Sequence, residues 1–456
     1  MKPNLPNLLA AFLKNKTLFI LLITVINNIL SIKSSAQNKV TFTKDIAPIV
    51  YQHCYACHRD GGAAPFPLES YDDVSKRGKF IQYVTEKRIM PPWKANAEYR
   101  HFADERVLSN EEINLIAAWV KNNCPEGKKK HKPEAPKIFA GSQLKQVPDL
   151  HVAMPEPLPI PGTNKATYAC FKIPYEIAND TFVQGIEFIP ELKNLIHHAS
   201  FQILELPTGV DPKSLPNYFY YGDTLSVNDE HDYSLLNLVS PNGQFPKEVF
   251  HAGWLPGTSP LVFPNGVGFK LPKKGAILIR NLHISPTPIS TKEKSSFNFY
   301  FSKSNSNREV QFAAYKPTRF KEIIQADSII KNKIIIKINS DMSLLAINPH
   351  MHLLGRSFKV YALNPSKDTI RLVDIPIWDF NWQDFYRYKS PQKIAKGSVI
   401  VAEAVFDNTA KNPNNPNIPP KDILFESGSM EDTEEMMRLV FLYLTFENGD
   451  ENLIFK

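Results

Sequence analysis

The stretch Asn348-Pro349-His350-Met351-His352-Leu353-Leu354-Gly355 decides how the chain is read. Side chains two apart on a β-strand share a face, so His350 and His352 aim their imidazoles at one point while Met351 packs the other way. The preceding residues, Ser343 to Ile347, are mostly apolar and read as a buried strand. Imidazole suits copper, zinc, iron and nickel, so the pair indicates a metal without choosing one.

On both sides of this stretch, short apolar runs alternate with Pro, Asn and Gly. Phe182 to Ile189, Ser200 to Leu206, Ala276 to Ile284, Lys333 to Ile338, Ser398 to Phe406 and Arg438 to Phe446 all read as strands. Roughly 310 residues of this texture exceed one ordinary sandwich, so two are expected, dividing near Ser304 to Arg308. Within them lie an adjacent pair, His197-His198, and His283 near the end of an apolar run. A regular strand would turn His197 and His198 to opposite faces, so a shared metal needs a bulge or strand end. Near the C-terminus, Glu435-Met436-Met437 opens the last strand, and two histidines with a thioether make a soft-leaning set that copper occupies well.

The first third differs. Lys14 and Lys16 precede the apolar run Leu18 to Ile26, and Ser34-Ser35-Ala36 offers small residues for cleavage. Residues 1–36 therefore read as a signal peptide, and the mature protein is expected to be exported, periplasmic or extracellular, without a membrane span; an uncleaved leader would anchor it. Residues 37–126 centre on Cys54-Tyr55-Ala56-Cys57-His58, the spacing at which two thiols add to one haem and the following histidine ligates its iron. Export suits that assignment, because haem c is assembled outside the cytoplasm. Met90, between Ile89 and Pro91-Pro92, is the candidate second axial ligand and would suit electron transfer, with His101 as competitor. Ser109 and Glu112 form a capping box ahead of a helix with Ile113, Ile116, Ala117 and Val120 on one face. The segment resembles a class I type cytochrome c domain. Residues 127–147 read as a basic, proline-containing linker in which His131 is solvated.

The chain of 456 residues is long enough for two to four domains, and 43% apolar against 22% charged residues is globular in kind. Its 37 prolines against 19 glycines favour strand ends and rigid turns over long helices. The net charge of +7 falls by four, to +3, without the leader's lysines, and five more lysines crowd between Lys128 and Lys137. That distribution excludes a nucleic-acid footprint.

The order of these features resembles the copper type II, ascorbate-dependent monooxygenases, the family of peptidylglycine α-hydroxylating and dopamine β-monooxygenases. The similarity runs from about Val147 to Asn448 and includes Thr167-Tyr-Ala-Cys170, Gly266-Val-Gly-Phe269 before His283, His350-x-His352-x-x-Gly355 and Glu435-Met436. It implies a fold of a small all-α cytochrome c domain (37–126) followed by two all-β jelly-roll-like sandwich domains (148–305 and 306–456). It implies two coppers: an electron-transfer copper on His197, His198 and His283, and a catalytic, oxygen-activating copper on His350, His352 and Met436. Met436 rather than Met437 follows from the family's acidic residue before the ligand. Cys170 matches a family cysteine whose usual partner position holds no cysteine here, which leaves a Cys124–Cys170 disulfide open.

The departures concern substrate. Positions that anchor a peptide carboxylate in amidating members are Asn348, Arg438 and Val440 here, and a family histidine is replaced by Ser343. Peptide amidation therefore does not carry over. The expected activity is hydroxylation of an activated C–H bond of a small organic substrate with O2, electrons coming through the haem (Cys54, Cys57, His58, Met90) or from a reductant such as ascorbate, with a redox protein as docking partner. The competing class is a non-catalytic multi-metal electron carrier or copper-binding protein. A zinc hydrolase lacks a nearby carboxylate base, and methionine is a poor zinc ligand.

Overall fold

The computed structural model describes residues 39–103, 105–136, 142–144, 146–221, 229–304, 307–317, 323–425 and 434–455. The leader expectation falls on residues 1–36, outside the described residues. Among the described residues no helix is long and apolar enough to cross a membrane.

The chain is mostly β, and it divides into two compact units. The smaller comprises, among the described residues, 39–50 together with 70–86 and 109–134. Its longest helix, Asn110–Lys121, begins at the Ser109/Glu112 capping box, where Ser109 Oγ accepts from Glu112 N and the Glu112 carboxylate accepts from Ser109 N. This helix buries Ile116 and Trp119, and the Trp119 ring lies 6.2 Å from Phe42.

The larger unit takes residues 51–69, 87–108 and 135 onward. Four sheets form its body. The first orders the strands Leu150–Ala153, Ser296–Phe301, Thr181–Ile189, Val267–Leu271 and Arg308–Glu309. The second orders Tyr218–Tyr220, Thr167–Glu176, Lys274–Ile284, Ile196–Glu205 and Lys247–Trp254. The third orders Gln311–Tyr315, Met437–Thr445, Met342–Met351 and Tyr386–Ile394; the fourth orders Ser328–Lys337, Val399–Asn408, Gly355–Leu363 and Thr369–Ile375.

The expected fold class is corrected on two counts. No all-α cytochrome domain is present among the described residues. Residues 51–69 and 87–108, which carry the Cys-x-x-Cys-His motif and Met90, belong to the β unit and not with the helices. The reason is packing: Ala95, Phe102 and Trp93 join the apolar core of the third and fourth sheets, and Asn96 N donates to Asp374 O at 2.8 Å. A segment whose aromatics fill a β core cannot also close a helical haem pocket.

The β region, in turn, is not two self-contained sandwich domains. The strand Met342–Met351 sends Leu344 and Ile347 into one core and Leu345 and Ala346 into the other. Its partner strand does the same, with Leu439 and Phe441 on one side and Leu442 and Leu444 on the other. The third sheet is thus buried on both faces over these residues, which is why Leu344 to Ile347 is a continuous apolar run rather than an alternating one.

Candidate metal centres

The adjacent histidines and His283 meet across two neighbouring strands. His283 pairs with His198, and the register slips on both sides of that pair, with Asn281 in a left-handed conformation at φ 52°. The bulge re-aims side chains that a regular ladder would separate. His197 Nδ1 and His198 Nδ1 lie 3.1 Å apart, and one ring nitrogen of each of His197, His198 and His283 falls within 4.8 Å of the others. His283 Nδ1 is buried and has no hydrogen-bond partner, and Tyr168 stacks on this ring at 4.3 Å. Asn381 Oδ1 accepts from His197 Nε2–H at 2.7 Å, leaving the Nδ1 lone pair turned toward its neighbours.

The second group lies where the Met342–Met351 strand ends. The His350 and His352 rings are 5.2 Å apart, and Met351 is fully buried in the core behind them. His352 Nδ1–H donates to Glu434 O at 2.9 Å, and His352 Nε2 is buried with no partner. His350 Nδ1 is hydrogen-bonded to Gln383 Oε1. In both rings the second nitrogen is occupied by the protein, the arrangement that fixes tautomer and orientation in metal-ligating histidines. Met436 lines the same cleft as His350, whereas Met437 is fully buried in the core and pairs with Met351.

Burial, reinforced by His197, pulls the His283 pKa down to about 3. Burial and then His352 pull His350 to about 3; burial takes His352 to about 4 against the opposing Glu434 hydrogen bond. His198 is driven well down by burial and then by His283. Neutral imidazoles are what a transition metal requires of its histidine ligands. A stability consequence follows for metal-free protein. Unfolded imidazoles protonate near the usual value of about 6.5 while the folded ones stay neutral, so the unfolded state binds more protons as pH falls. Stability of the apo-protein is therefore expected to be flat above about pH 6.5 and to drop between there and about pH 3. Denaturant midpoints at pH 7 and pH 5 check this; equal midpoints would contradict it.

A cleft of about 710 Å³ is lined by residues of both groups, among them His198, His350 and Met436, together with Asn348, Arg438 and Val440. Asn348 Nδ2 donates to Gln383 O at 3.0 Å and Asp384 O at 2.9 Å, so its amide braces the scaffold. Three supporting residues carry no signal in the local sequence: Asn381, Gln383 and Trp378, whose indole donates to His352 O at 3.2 Å. Gly355 is required by that indole, since a Cβ there would stand 2.7 Å from Trp378 Cδ1.

Around the haem motif, Cys54 and Cys57 are both half-buried and His58 Nδ1–H donates to Phe66 O at 3.0 Å, which makes Nε2 the lone-pair nitrogen. Arg59 Nε, Trp93 Nε1 and Arg106 Nε are buried donors without partners, and both arginines act electrostatically on Cys57. Two thiols, an oriented imidazole and unfilled donors for carboxylates are the groups a haem c would engage. Met90 is 37% exposed, and His101 is engaged by Glu105 at 2.9 Å. His131 is exposed. The Cys124–Cys170 disulfide is not formed: both are free, and Cys170 is fully buried among Leu204, Leu236 and Leu278.

Residues 321–415 match the family model of the copper type II ascorbate-dependent monooxygenase C-terminal domain. This match to the copper monooxygenase domain contains His350 and His352 and ends before Met436; His197, His198 and His283 lie outside it. It supports copper as cofactor and monooxygenase chemistry, hence an oxidoreductase using O2 and a reductant. No curated protein matches the chain. Among solved structures, the crystal structure of the infectious bursal disease virus VP2 subviral particle is 8% identical, covering 68% of this chain and 85% of that one at a TM-score of 0.15, too low to carry an argument.

Proposed function

We propose that this protein is an exported copper-dependent monooxygenase that hydroxylates an activated C–H bond of a small organic substrate, with electrons arriving through a haem c on Cys54, Cys57 and His58. The observation that carries the reading is one cleft lined from both histidine groups, with His283 Nδ1 and His352 Nε2 each buried and unpartnered. His197, His198 and His283 would hold one copper, and His350, His352 and Met436 the other. Bound copper supplies one-electron redox chemistry and activation of O2. The chain's own residues orient and enclose. Asn381, Gln383 and Glu434 O fix three imidazoles in ligating tautomers, and the thioether of Met436 favours the reduced metal. The cleft holds the substrate beside His350 and limits water around it.

A carrier has no need of a cleft of this size, whereas pockets for small molecules span about 300–1,000 Å³. The commitment of Asn348 to Gln383 and Asp384 argues against a carboxylate anchor at that position and hence against peptide amidation. Arg438, strand partner of His350, presents a cation to the cleft instead.

The test is the copper-to-haem ratio of protein matured in a periplasm, followed by reoxidation of the reduced haem with O2 and candidate substrates. Two coppers per haem, with copper-dependent reoxidation and a hydroxylated product, are expected. Redox cycling of both metals with no product from amine, peptide or lipid panels would favour the carrier. Zinc or no metal at the histidines would refute the oxygenase.

A further inference from the structure

One irregular segment, Asp379-Phe380-Asn381-Trp382-Gln383-Asp384-Phe385, touches both histidine groups. It leads into the Tyr386–Ile394 strand of the third sheet. Asn381 Oδ1 accepts from His197 Nε2–H at 2.7 Å, and Gln383 Oε1 is bonded to His350 Nδ1. Between these two, the Phe380 ring stands edge-on to His198 at 6.4 Å and to His352 at 5.8 Å. Four of the five histidines are thereby contacted by one short stretch of chain.

Both amides are held in the required orientation from within the segment. Asn381 Nδ2 donates to Asp379 Oδ1 at 3.1 Å, which turns its oxygen to His197. Gln383 Nε2 donates to Phe380 O at 2.8 Å, which turns its oxygen to His350. The ends are tied down by charge: Lys94 to Asp379 at 2.8 Å and Arg106 to Asp384 at 2.6 Å, while Asn348 binds the backbone at 383 and 384.

We propose that residues 379–385 form a single strap that positions both metal centres, with Phe380 fixing their spacing. This rests on the two-copper reading above. A partner on the outer nitrogen of a ligating histidine sets ring orientation and ligand basicity, and its loss costs about 10–100-fold in metal affinity. Because the two partners share one clamped segment, loosening the clamp moves ligands of both centres together, although Asp384 contacts no histidine ligand. Asn381, Gln383 and Phe380 are positioning residues, not catalytic ones.

The experiment uses the full-length, copper-loaded protein and four variants: Asn381→Ala, Asn381→Asp, Gln383→Ala and Asp384→Asn. Copper affinity is read by chelator competition, and each Cu(II) centre and the intercopper distance by electron paramagnetic resonance. Asn381→Ala is expected to change the hyperfine pattern and weaken copper at the His197 centre by about 10–100-fold, and Gln383→Ala to do so at the His350 centre. Asn381→Asp keeps an acceptor for His197 but loses the donor to Asp379, and should lie between Asn381→Ala and wild type. Asp384→Asn should broaden the intercopper distance distribution and perturb both centres. Two coppers in wild type with unaltered spectra and affinities in the alanine variants would overturn the strap alone, as would an Asp384→Asn protein with wild-type distances. Fewer than two coppers in wild type would overturn the copper reading and the strap with it.

Discussion

Replacing His350 and His352 together by alanine is expected to abolish product formation, with a fall of at least about 10³-fold, the equivalent of about 4 kcal/mol of the stabilisation a metal supplies. Copper content should drop from two to one per haem. The two imidazoles are the nitrogen donors of their group, with Met436 the remaining candidate ligand, and one thioether is too weak to hold copper alone. The other three histidines lie on strands of a different sheet, and His197 keeps its hydrogen bond to Asn381, so copper there should remain. Met351 and Leu354 behind the pair stay buried, so folding should survive the loss of two partly polar rings. Elemental analysis beside haem absorbance, with product measured on the same sample, reads both effects. A double variant that kept two coppers or wild-type turnover would remove this centre from the mechanism.

Glu435→Ala is expected to be the most destabilising single change at the site. The carboxylate is 1% exposed and accepts from three backbone amides: His352 N at 2.5 Å, Leu354 N at 2.9 Å and Met436 N at 2.9 Å. Alanine would leave three buried N–H groups without this acceptor, at a cost of about 3–5 kcal/mol in total. The same amides belong to or flank two candidate ligands, His352 and Met436, so copper affinity should fall along with stability. Glu435→Gln keeps one acceptor oxygen but turns an NH₂ toward an N–H, and should lie between the two. Denaturant midpoints with and without copper measure this. A loss below about 1 kcal/mol for the alanine variant would show that water replaces the carboxylate.

The sequence by itself brought out the candidate donors and much of the local geometry around His350. His350 and His352 two apart at the end of an apolar run, with Met351 turned into the core, follow from strand periodicity, and the Ser109/Glu112 box is equally local. Gly355 was visible as part of a motif, but the indole that requires it was not. Three things belonged to the tertiary structure. Trp93, Ala95 and Phe102 fill a β core instead of closing a helical domain, because apolar side chains carry no address for the surface that buries them. Met436 faces the cleft while Met437 is core, because the Met437–Thr445 strand is set in register against Met342–Met351 nearly a hundred residues earlier in the chain. Asn381 reaches His197 across 184 residues of chain, Glu435 gathers the amides around His352 across 83, and Gln383 reaches His350 across 33. A metal ligand announces itself by residue type and spacing, since its chemistry is its own. The groups that orient it are ordinary amides and carboxylates, and only the meeting of distant segments gives them that role.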